Sequence, residues 1–443
     1  NSTIGGPDIR EYAGLYLQEN DVDKVYIVTT NGFTQQAKEI ADNIDKDIGL
    51  VNGEQLINLI NKNNKTKILD SYCPDQRLDA TDNSHPIPND PTVTLADIHA
   101  HADLSDVDLS NANLSGENLS DANLHCADLS NADLSGANLS NADLAGADLS
   151  DADLSRADLA DADLNEADLS NSNLKLSSLS GAELSGANFH DSDLCNAILS
   201  ESNLIEADLS KSKLKMTVLS GANLSGADLS NANIFNSVLS DTVFQGANLS
   251  NANLSNTDIS GANLSNADLS DSDLSDSDLH DADLTESNLS ESNLFRSLLH
   301  HTDLSGANLS DAALVDANLE AARLSDSNLK RACLRGAYLV GAILSECNLN
   351  RATLNSANLE GARFSESNLN QARLFCADLN GADLDCVDLS GSNLRGADLI
   401  EADLSESNLV RARLSHADLS GANLSGADLC NAELSEANLS NAN

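Results

Sequence analysis

The sequence predicts a long repeat solenoid preceded by a short segment of alternating α and β structure. From Leu104 to Leu439 every fifth residue is a large apolar one, and the 68 units follow one another with no insertion or deletion. A period of five matches neither the helical period nor the strand period. With no Trp and 3% aromatic residues, the chain also lacks the material of large globular cores. These observations identify a repeat array.

Residues 1–66 differ from the array, and their patterns predict five alternating elements. Apolar residues at helical spacing indicate helices, and β-branched runs between turn signals indicate strands. The predicted elements are a helix over 8–19, a strand over 24–30, a helix over 34–44, a strand over 48–51 and a helix over 54–61. Together they form half of an α/β sandwich, an incomplete α/β segment that is too small for a stable core of its own.

Three motifs in this segment are informative: Gly-Pro-Asp-Ile-Arg at 6–10, Val-Thr-Thr-Asn-Gly-Phe-Thr at 28–34 and Asn-Gly-Glu-Gln-Leu at 52–56. On these motifs the segment resembles the C-terminal half of an Mrr-type restriction endonuclease domain. The resemblance implies DNA cleavage with a metal held by an Asp and an (E/Q)-x-K element on strands upstream of the Gly-Pro helix. This chain starts at that helix, so we assign no catalytic residue and no metal ligand. A divalent metal cofactor is expected only together with the missing half.

The triplet Gln36-Ala37-Lys38 spells Q-x-K but falls in a predicted helix, which favours a solvated lysine over a catalytic one. Residues 67–101 contain four of the five prolines among Asp, Asn, Ser and Thr, and are predicted to be an extended linker. His99 and His101 at its end have no third ligand nearby, so we interpret them as a solvated pair.

The net charge of −46 opposes nonspecific binding to nucleic acid or to anionic membranes. Such acidity is also typical of proteins from salt-loving archaea, where it serves solubility. No stretch is apolar and long enough to cross a membrane, and the first residues lack the zones of a signal peptide, so we predict a cytoplasmic protein without membrane contact. The eight Cys have neither zinc-site spacing nor a disulfide framework.

Within each unit, the residue two before the large centre is usually Ala, otherwise Ser, Thr or Cys, so it must face the same crowded interior. The other three positions, mainly Asp or Asn, then Ser, then Gly, Asn, Asp or Glu, are predicted to face water. Glu117 and Val107 depart from the small-residue rule, and a less regular coil is expected around them.

The pattern A-(D/N)-L-S-x over 102–443 resembles the pentapeptide-repeat family. The resemblance implies a mainly β fold, a right-handed quadrilateral β-helix with one unit per side and twenty residues per coil. The array then makes about 17 coils and, at strand spacing, a rod of roughly 80 Å. Proline, which removes a backbone donor, is absent from the array.

If residues twenty apart stack, charge can segregate by side, and it does. Fourteen of the 16 basic residues in the array fall in the window 110–116 or its copies every twenty residues, which we call the basic side. This side has a net charge of +1, whereas the other three sum to −39. Its candidate interaction residues are Lys211, Lys213, Lys215, Phe235, Phe295, Lys330, Arg331, Arg335, Arg351, Arg373, Phe375, Arg395, Arg411 and Arg413. The same register predicts that His280 and His300 lie on adjacent coils.

Two functions remain open. The first is a noncatalytic interaction or scaffold protein whose rod binds a protein partner or a second copy. Family members associated with quinolone resistance resemble B-form DNA, and the three acidic sides permit such DNA mimicry. The second is an Mrr-like type IV restriction endonuclease, with DNA binding through the first segment and catalytic strands outside this chain. The alternative for the basic side is that its cations only reduce the repulsion among the acidic side chains.

Overall fold

The computed structural model describes residues 14–19, 22–29, 48–52, 90 and 93–443. The chain divides into two units, Asn1–Ser84 and His85–Asn443. Each unit is described by itself.

The described part of the first unit is a three-stranded sheet in the order β1-β2-β3. Strand β1 is Gly14–Glu19, β2 is Val22–Thr29 and β3 is Ile48–Asn52. Strands β1 and β2 are antiparallel, whereas β2 and β3 are parallel. A parallel pair needs a crossover connection, and 18 residues separate β2 from β3.

Strands β2 and β3 confirm the strands predicted over 24–30 and 48–51. The helix predicted over 8–19 is wrong for 14–19, which form β1. The apolar residues there suit either period, and the pairing of Glu19 with Val22 decides for a strand. Only Asn20 and Asp21 separate the two strands, which is the chain length and composition of a tight hairpin. The helices predicted over 34–44 and 54–61 lie outside the described residues.

The second unit is built from parallel pairs between residues twenty apart. They begin with Asp103 and Asn123, recur every five residues and end with Asp418 and Asn438. Each pair is closed by two backbone hydrogen bonds: Leu104 N donates to Asn123 O at 2.7 Å, and Asn123 N donates to Ala102 O at 2.8 Å. The twenty-residue register predicted from the sequence is therefore confirmed.

Two residues of each unit form the interior. The centre residues from Leu104 to Leu419 and the small residues two before them are buried, with Phe189, Phe244 and Phe364 the bulkiest. Burial of one such Leu stabilises the fold by about 1.5–3 kcal/mol. Where serine replaces Ala at a small position, its hydroxyl commonly bonds to a backbone carbonyl, as when Ser172 Oγ donates to Leu169 O at 2.6 Å. Ser192 Oγ and Ser392 Oγ are exceptions, buried without a hydrogen-bond partner in the described part of the chain.

Each corner between two sides is a β-turn. Ala112 N donates to Leu109 O at 3.0 Å, and the third residue of the turn, Asn111, has a φ of 59°. Every fifth residue from His101 to Asn441 has this left-handed conformation, and all 18 array glycines lie there. No Val, Ile or Thr occupies the position, because β-branched residues are strained at positive φ.

The Asp or Asn before each centre also has a backbone role. Asp108 Oδ1 accepts hydrogen bonds from Ser110 N at 3.0 Å and from Ser110 Oγ at 2.6 Å. This is an Asx-type turn, and it recurs along the array. The prediction that these positions simply face water was therefore incomplete, since they also fix the corners.

The N-terminal end of the second unit includes part of the predicted linker. Val93 and Ile98 join the buried cluster of the array. Between them Leu95–Asp97 form a 3₁₀ turn, in which Thr94 Oγ1 donates to Asp97 Oδ2 at 2.6 Å. The irregular coil expected near Glu117 is wrong, because Asn138 N still donates to Glu117 O at 2.9 Å. The longer side chain of Glu117, a partly exposed residue, therefore leaves the backbone hydrogen bond between coils in place.

Candidate interaction surface

The basic side is one continuous stacked surface. Its middle ladder pairs Asp193 with Lys213, and later Thr353 with Arg373 and Asn393 with Arg413. All fourteen basic residues predicted for this side are exposed. The remaining array cations, Arg323 and Arg363, lie on a different ladder, where each pairs with Ile343.

Five successive copies of the window, from 330–336 to 410–416, contain eight Lys or Arg and no acidic residue; we call them the cationic segment. One corner column of the segment consists of Arg331, Arg351, Gln371, Gly391 and Arg411. The opposite column consists of Arg335, Asn355, Phe375, Arg395 and Ser415. Phe375 is 47% exposed, the largest exposure among the three phenylalanines of this side.

At each end of the cationic segment, one cation forms an ion pair with a carboxylate of the adjoining coil. Arg331 forms a two-point hydrogen-bonded ion pair with Asp311 in the coil before it. The hydrogen bonds from Arg331 hold the pKa of the Asp311 carboxyl below its usual value. At the other end Arg413 Nε lies 3.4 Å from Glu433 Oε2. One cation in each terminal copy of the segment, Arg331 or Arg413, is thus neutralised locally.

The other cations of the segment are not neutralised in this way. Among the residues that the structure describes, no carboxylate forms an ion pair with Lys330, Arg335, Arg373, Arg395 or Arg411. Arg351 Nε donates instead to the neutral Gln371 Oε1, at 3.0 Å. Positive charge in the middle of the segment therefore lacks a counter-charge of its own.

A cleft of about 340 Å³ opens at the corner of the segment. Its lining residues are Asn370, Gln371, Ser390, Gly391, Asn408, Val410 and Arg411. Gly391, at φ +65°, stacks between Gln371 and Arg411, and a Cβ there would lie 3.6 Å from Gln371 Cγ. The missing side chain therefore opens the cleft. The sequence signal that could have found it is a glycine between two long side chains in a column of period twenty.

The part of the basic side before the segment is more balanced. Asp193 Oδ2 lies 3.0 Å from Lys175 Nζ and 3.7 Å from Lys213 Nζ. Burial acts to raise the pKa of Asp193, but hydrogen bonds from Cys195 and Lys175 outweigh it, so its pKa lies below the usual value. Lys175 and Lys213 thus share one carboxylate as a counter-charge.

Further along the same part, Arg296 pairs with Asp276 at 2.5 Å and its guanidinium lies 5.0 Å from the ring centroid of Phe295. Lys211, Lys215 and Phe235 are exposed, as predicted. The two parts of the basic side, which already differ in their acidic residues in the sequence, therefore also differ in ion pairing.

The predicted proximity of His280 and His300 is confirmed: their rings stack with centroids 5.1 Å apart. His280 Nδ1 lies 2.8 Å from Asp278 Oδ1, and His300 Nδ1 is buried without a hydrogen bond in the described part of the chain. His99 Nδ1 contacts Ala100 O at 2.8 Å. Within the described ranges no three potential ligands converge as a metal site, and no helix has the length and apolar character needed to cross a bilayer.

Comparison with protein families gives two matches. The model for pentapeptide repeats matches overlapping stretches from 102–141 to 407–443. A model described as a restriction endonuclease matches residues 1–60. No curated protein sequence matches the chain.

Among solved structures, a similar one is HetL, a pentapeptide repeat protein involved in heterocyst differentiation regulation from the cyanobacterium Nostoc sp. strain PCC 7120. It is 31% identical over 54% of this chain and 88% of HetL, with a TM-score of 0.21. Rfr23, a pentapeptide repeat protein from the cyanobacterium Cyanothece 51142, is 29% identical over 24% of this chain and 89% of its own, with a TM-score of 0.21. The fluoroquinolone resistance protein QnrB1 is 20% identical over 35% of this chain and 84% of its own, with a TM-score of 0.28.

Proposed function

Because the chain belongs to the pentapeptide-repeat family, we propose that it is a noncatalytic interaction or scaffold protein. In this proposal the array is a right-handed, four-sided β-helix of about 17 coils. The basic side binds a partner protein or a second copy, and the acidic sides surround it and permit mimicry of DNA.

The observation that carries the proposal is the distribution of ion pairs along the basic side. Cations that only relieve repulsion are expected beside carboxylates, as Lys175 and Lys213 are beside Asp193. Inside the cationic segment the acids are absent instead, while Phe375 lies exposed beside the cations. Exposed cations interleaved with an aromatic side chain favour an interface over charge balancing alone.

The test is charge reversal on the basic side. The double variant Arg351→Glu with Arg411→Glu is compared with the control Arg323→Glu with Arg363→Glu, which makes the same charge change on another ladder. Proteins captured from cell extract by the immobilised chain, and self-association by analytical ultracentrifugation, are measured at moderate salt. We expect at least one of these associations to weaken about tenfold in the first variant only. Equal behaviour of the two variants contradicts the proposal.

A second candidate is DNA binding and cleavage by an Mrr-like restriction endonuclease domain to which this chain contributes residues 1–60. It is favoured by the restriction endonuclease match to those residues. The test is the coding sequence immediately before residue 1 together with a nuclease assay of the encoded protein. An in-frame Asp and (E/Q)-x-K element with metal-dependent cleavage supports this candidate. A start codon adjacent to residue 1 eliminates it for this chain.

A further inference from the structure

The unpaired cations of the cationic segment lie in successive coils. Arg373 and Arg395 belong to neighbouring copies of the window, and Arg411 belongs to the next. At a strand spacing of about 4.8 Å, the five copies extend over roughly 20 Å, which is the length of about six residues of extended peptide. The segment therefore offers a row of positive charges on the scale of one short peptide.

The cleft at Gly391 lies within this row of cations and offers a binding position for one acidic side chain. Arg411 lines it on one side, while Gln371 on the other side is held by its hydrogen bond from Arg351. Asn370 Nδ2 donates to Ser390 Oγ at 2.6 Å, which orients two further lining side chains. A carboxylate entering the cleft gains a charge-assisted hydrogen bond from Arg411 without displacing an existing ion pair.

The surroundings of the segment favour a peptide over nucleic acid. Double-stranded DNA carries about one negative charge per 1.7 Å of its axis, so a length of about 20 Å carries roughly a dozen phosphates, only some of which could face the segment. A duplex along the segment would also bring phosphates towards the flanking sides, and the three sides other than the basic side have a net charge of −39. A single extended peptide contacts the basic side alone, and Phe375 offers contact to its apolar side chains.

We propose that the cationic segment binds an acidic, extended segment of a partner protein and that the cleft at Gly391 receives one of its carboxylates. The inference rests on the proposed scaffold function and specifies the partner's chemistry. Recognition combines charge along the segment, a carboxylate at Arg411 and apolar contact at Phe375. Binding is accordingly weakened by salt.

The test uses the full chain and a fluorescein-labelled peptide about ten residues long, rich in Asp and Glu with interspersed Leu. Fluorescence anisotropy is recorded at low and moderate salt. We expect saturable binding that weakens about tenfold in Arg395→Gln with Arg411→Gln. The control Arg323→Gln with Arg363→Gln removes the same charge elsewhere and should bind as the unaltered chain does. Circular dichroism establishes that both variants are folded.

A second pair of variants isolates the cleft. Gly391→Asn fills it with a residue that adopts positive φ readily, as Asn231 and Asn251 do in equivalent turns. Gly381→Asn makes the same change at a glycine of another corner, where a Cβ meets nothing within 4 Å. We expect peptide binding to be about threefold weaker in Gly391→Asn and unchanged in Gly381→Asn.

Absence of peptide binding at low salt, or equal loss in the two double variants, overturns the inference. Tighter binding of a single-stranded oligonucleotide of the same length also overturns it, in favour of nucleic acid. If protein capture depends on Arg351 and Arg411 while the peptide does not bind, the scaffold proposal stands and this inference fails. If neither charge-dependent protein capture nor peptide binding is found, both the scaffold proposal and this inference fail.

Discussion

At the scale of single residues, the repeat is governed by backbone conformation as much as by burial. The turn position has a positive φ at every corner, with values such as 59° at Asn111 and 69° at Gly116. Gly and Asn adopt this conformation with little strain, which explains their frequency there. The preference was visible in the sequence but was assigned to solvent exposure, since a polar residue at a corner satisfies both requirements.

Ala321 is a suitable site to test this conformational requirement, because its φ is 53° and its side chain is small. We expect Ala321→Gly to raise the free energy of unfolding by about 0.5–1 kcal/mol, since strain at positive φ is relieved. Ala322→Gly is the matched control one residue away. It removes a methyl group from the buried core and should lower the stability. Thermal unfolding followed by circular dichroism compares the two, and a loss of stability in Ala321→Gly contradicts the interpretation.

At the scale of the ladder, side chains form hydrogen bonds between coils in addition to the backbone. Asn288 Nδ2 donates to Asp268 Oδ1 at 2.9 Å, Asn308 Nδ2 to Asn288 Oδ1 at 2.9 Å, and Asn328 Nδ2 to Asn308 Oδ1 at 2.9 Å. Asn348 continues the series with a donation to Asn328 at 3.1 Å. An amide both donates and accepts, whereas a carboxylate only accepts. At this position, which is occupied by either residue, Asn can therefore extend the ladder by donating to the preceding coil, whereas Asp can only receive a hydrogen bond.

Replacement of Asn308 by Asp tests this amide ladder. The variant retains the acceptor for Asn328 but cannot donate to Asn288, so two oxygens face each other. We expect a local loss of about 1 kcal/mol, measured by amide hydrogen exchange in the coils on either side. Asn318→Asp is the control, because the hydrogen bond described for its side chain is an acceptor contact to Glu320 N at 3.1 Å. Equal protection in both variants contradicts the ladder's contribution.

At the scale of the whole array, charge is distributed unevenly along its length as well as around it. Residues 102–320 contain six basic and 38 acidic residues, whereas 321–443 contain ten and 16. The first part therefore carries most of the self-repulsion, and the cationic segment lies in the second. Such repulsion acts beyond individual pairs and depends on ionic strength.

Salt should consequently stabilise the array. An increase from about 0.01 to 1 M NaCl shortens the Debye length from about 30 to 3 Å and screens repulsion among the acidic side chains. We expect a higher urea midpoint in the presence of NaCl. Sodium chloride is preferred to sulfate, which stabilises proteins by exclusion from their surface regardless of charge. A midpoint that falls or stays constant with NaCl contradicts a destabilising role of the net charge of −46.

The sequence contained enough information for the array because its interactions repeat at a fixed separation. The period of five located the interior, and the resemblance to the pentapeptide-repeat family implied the twenty-residue register that pairs Asp103 with Asn123, with which the charge pattern agreed. The prediction from sequence failed for β1, because the spacing of apolar residues within a segment does not reveal a partner strand. It also could not separate the paired Arg331 from the unpaired Arg395, since that difference depends on which carboxylate reaches across a coil.

The twenty-residue pairing also constrains how such a chain can change its length. Loss of one five-residue unit preserves an interior of Leu and Ala but moves every later residue to the neighbouring side. A loss between Lys213 and the cationic segment would place the two on different sides. Duplication or loss of twenty residues leaves each side chain on its original side. Recombination between coils can therefore vary the spacing of surface features without altering their alignment, provided that it occurs in whole coils.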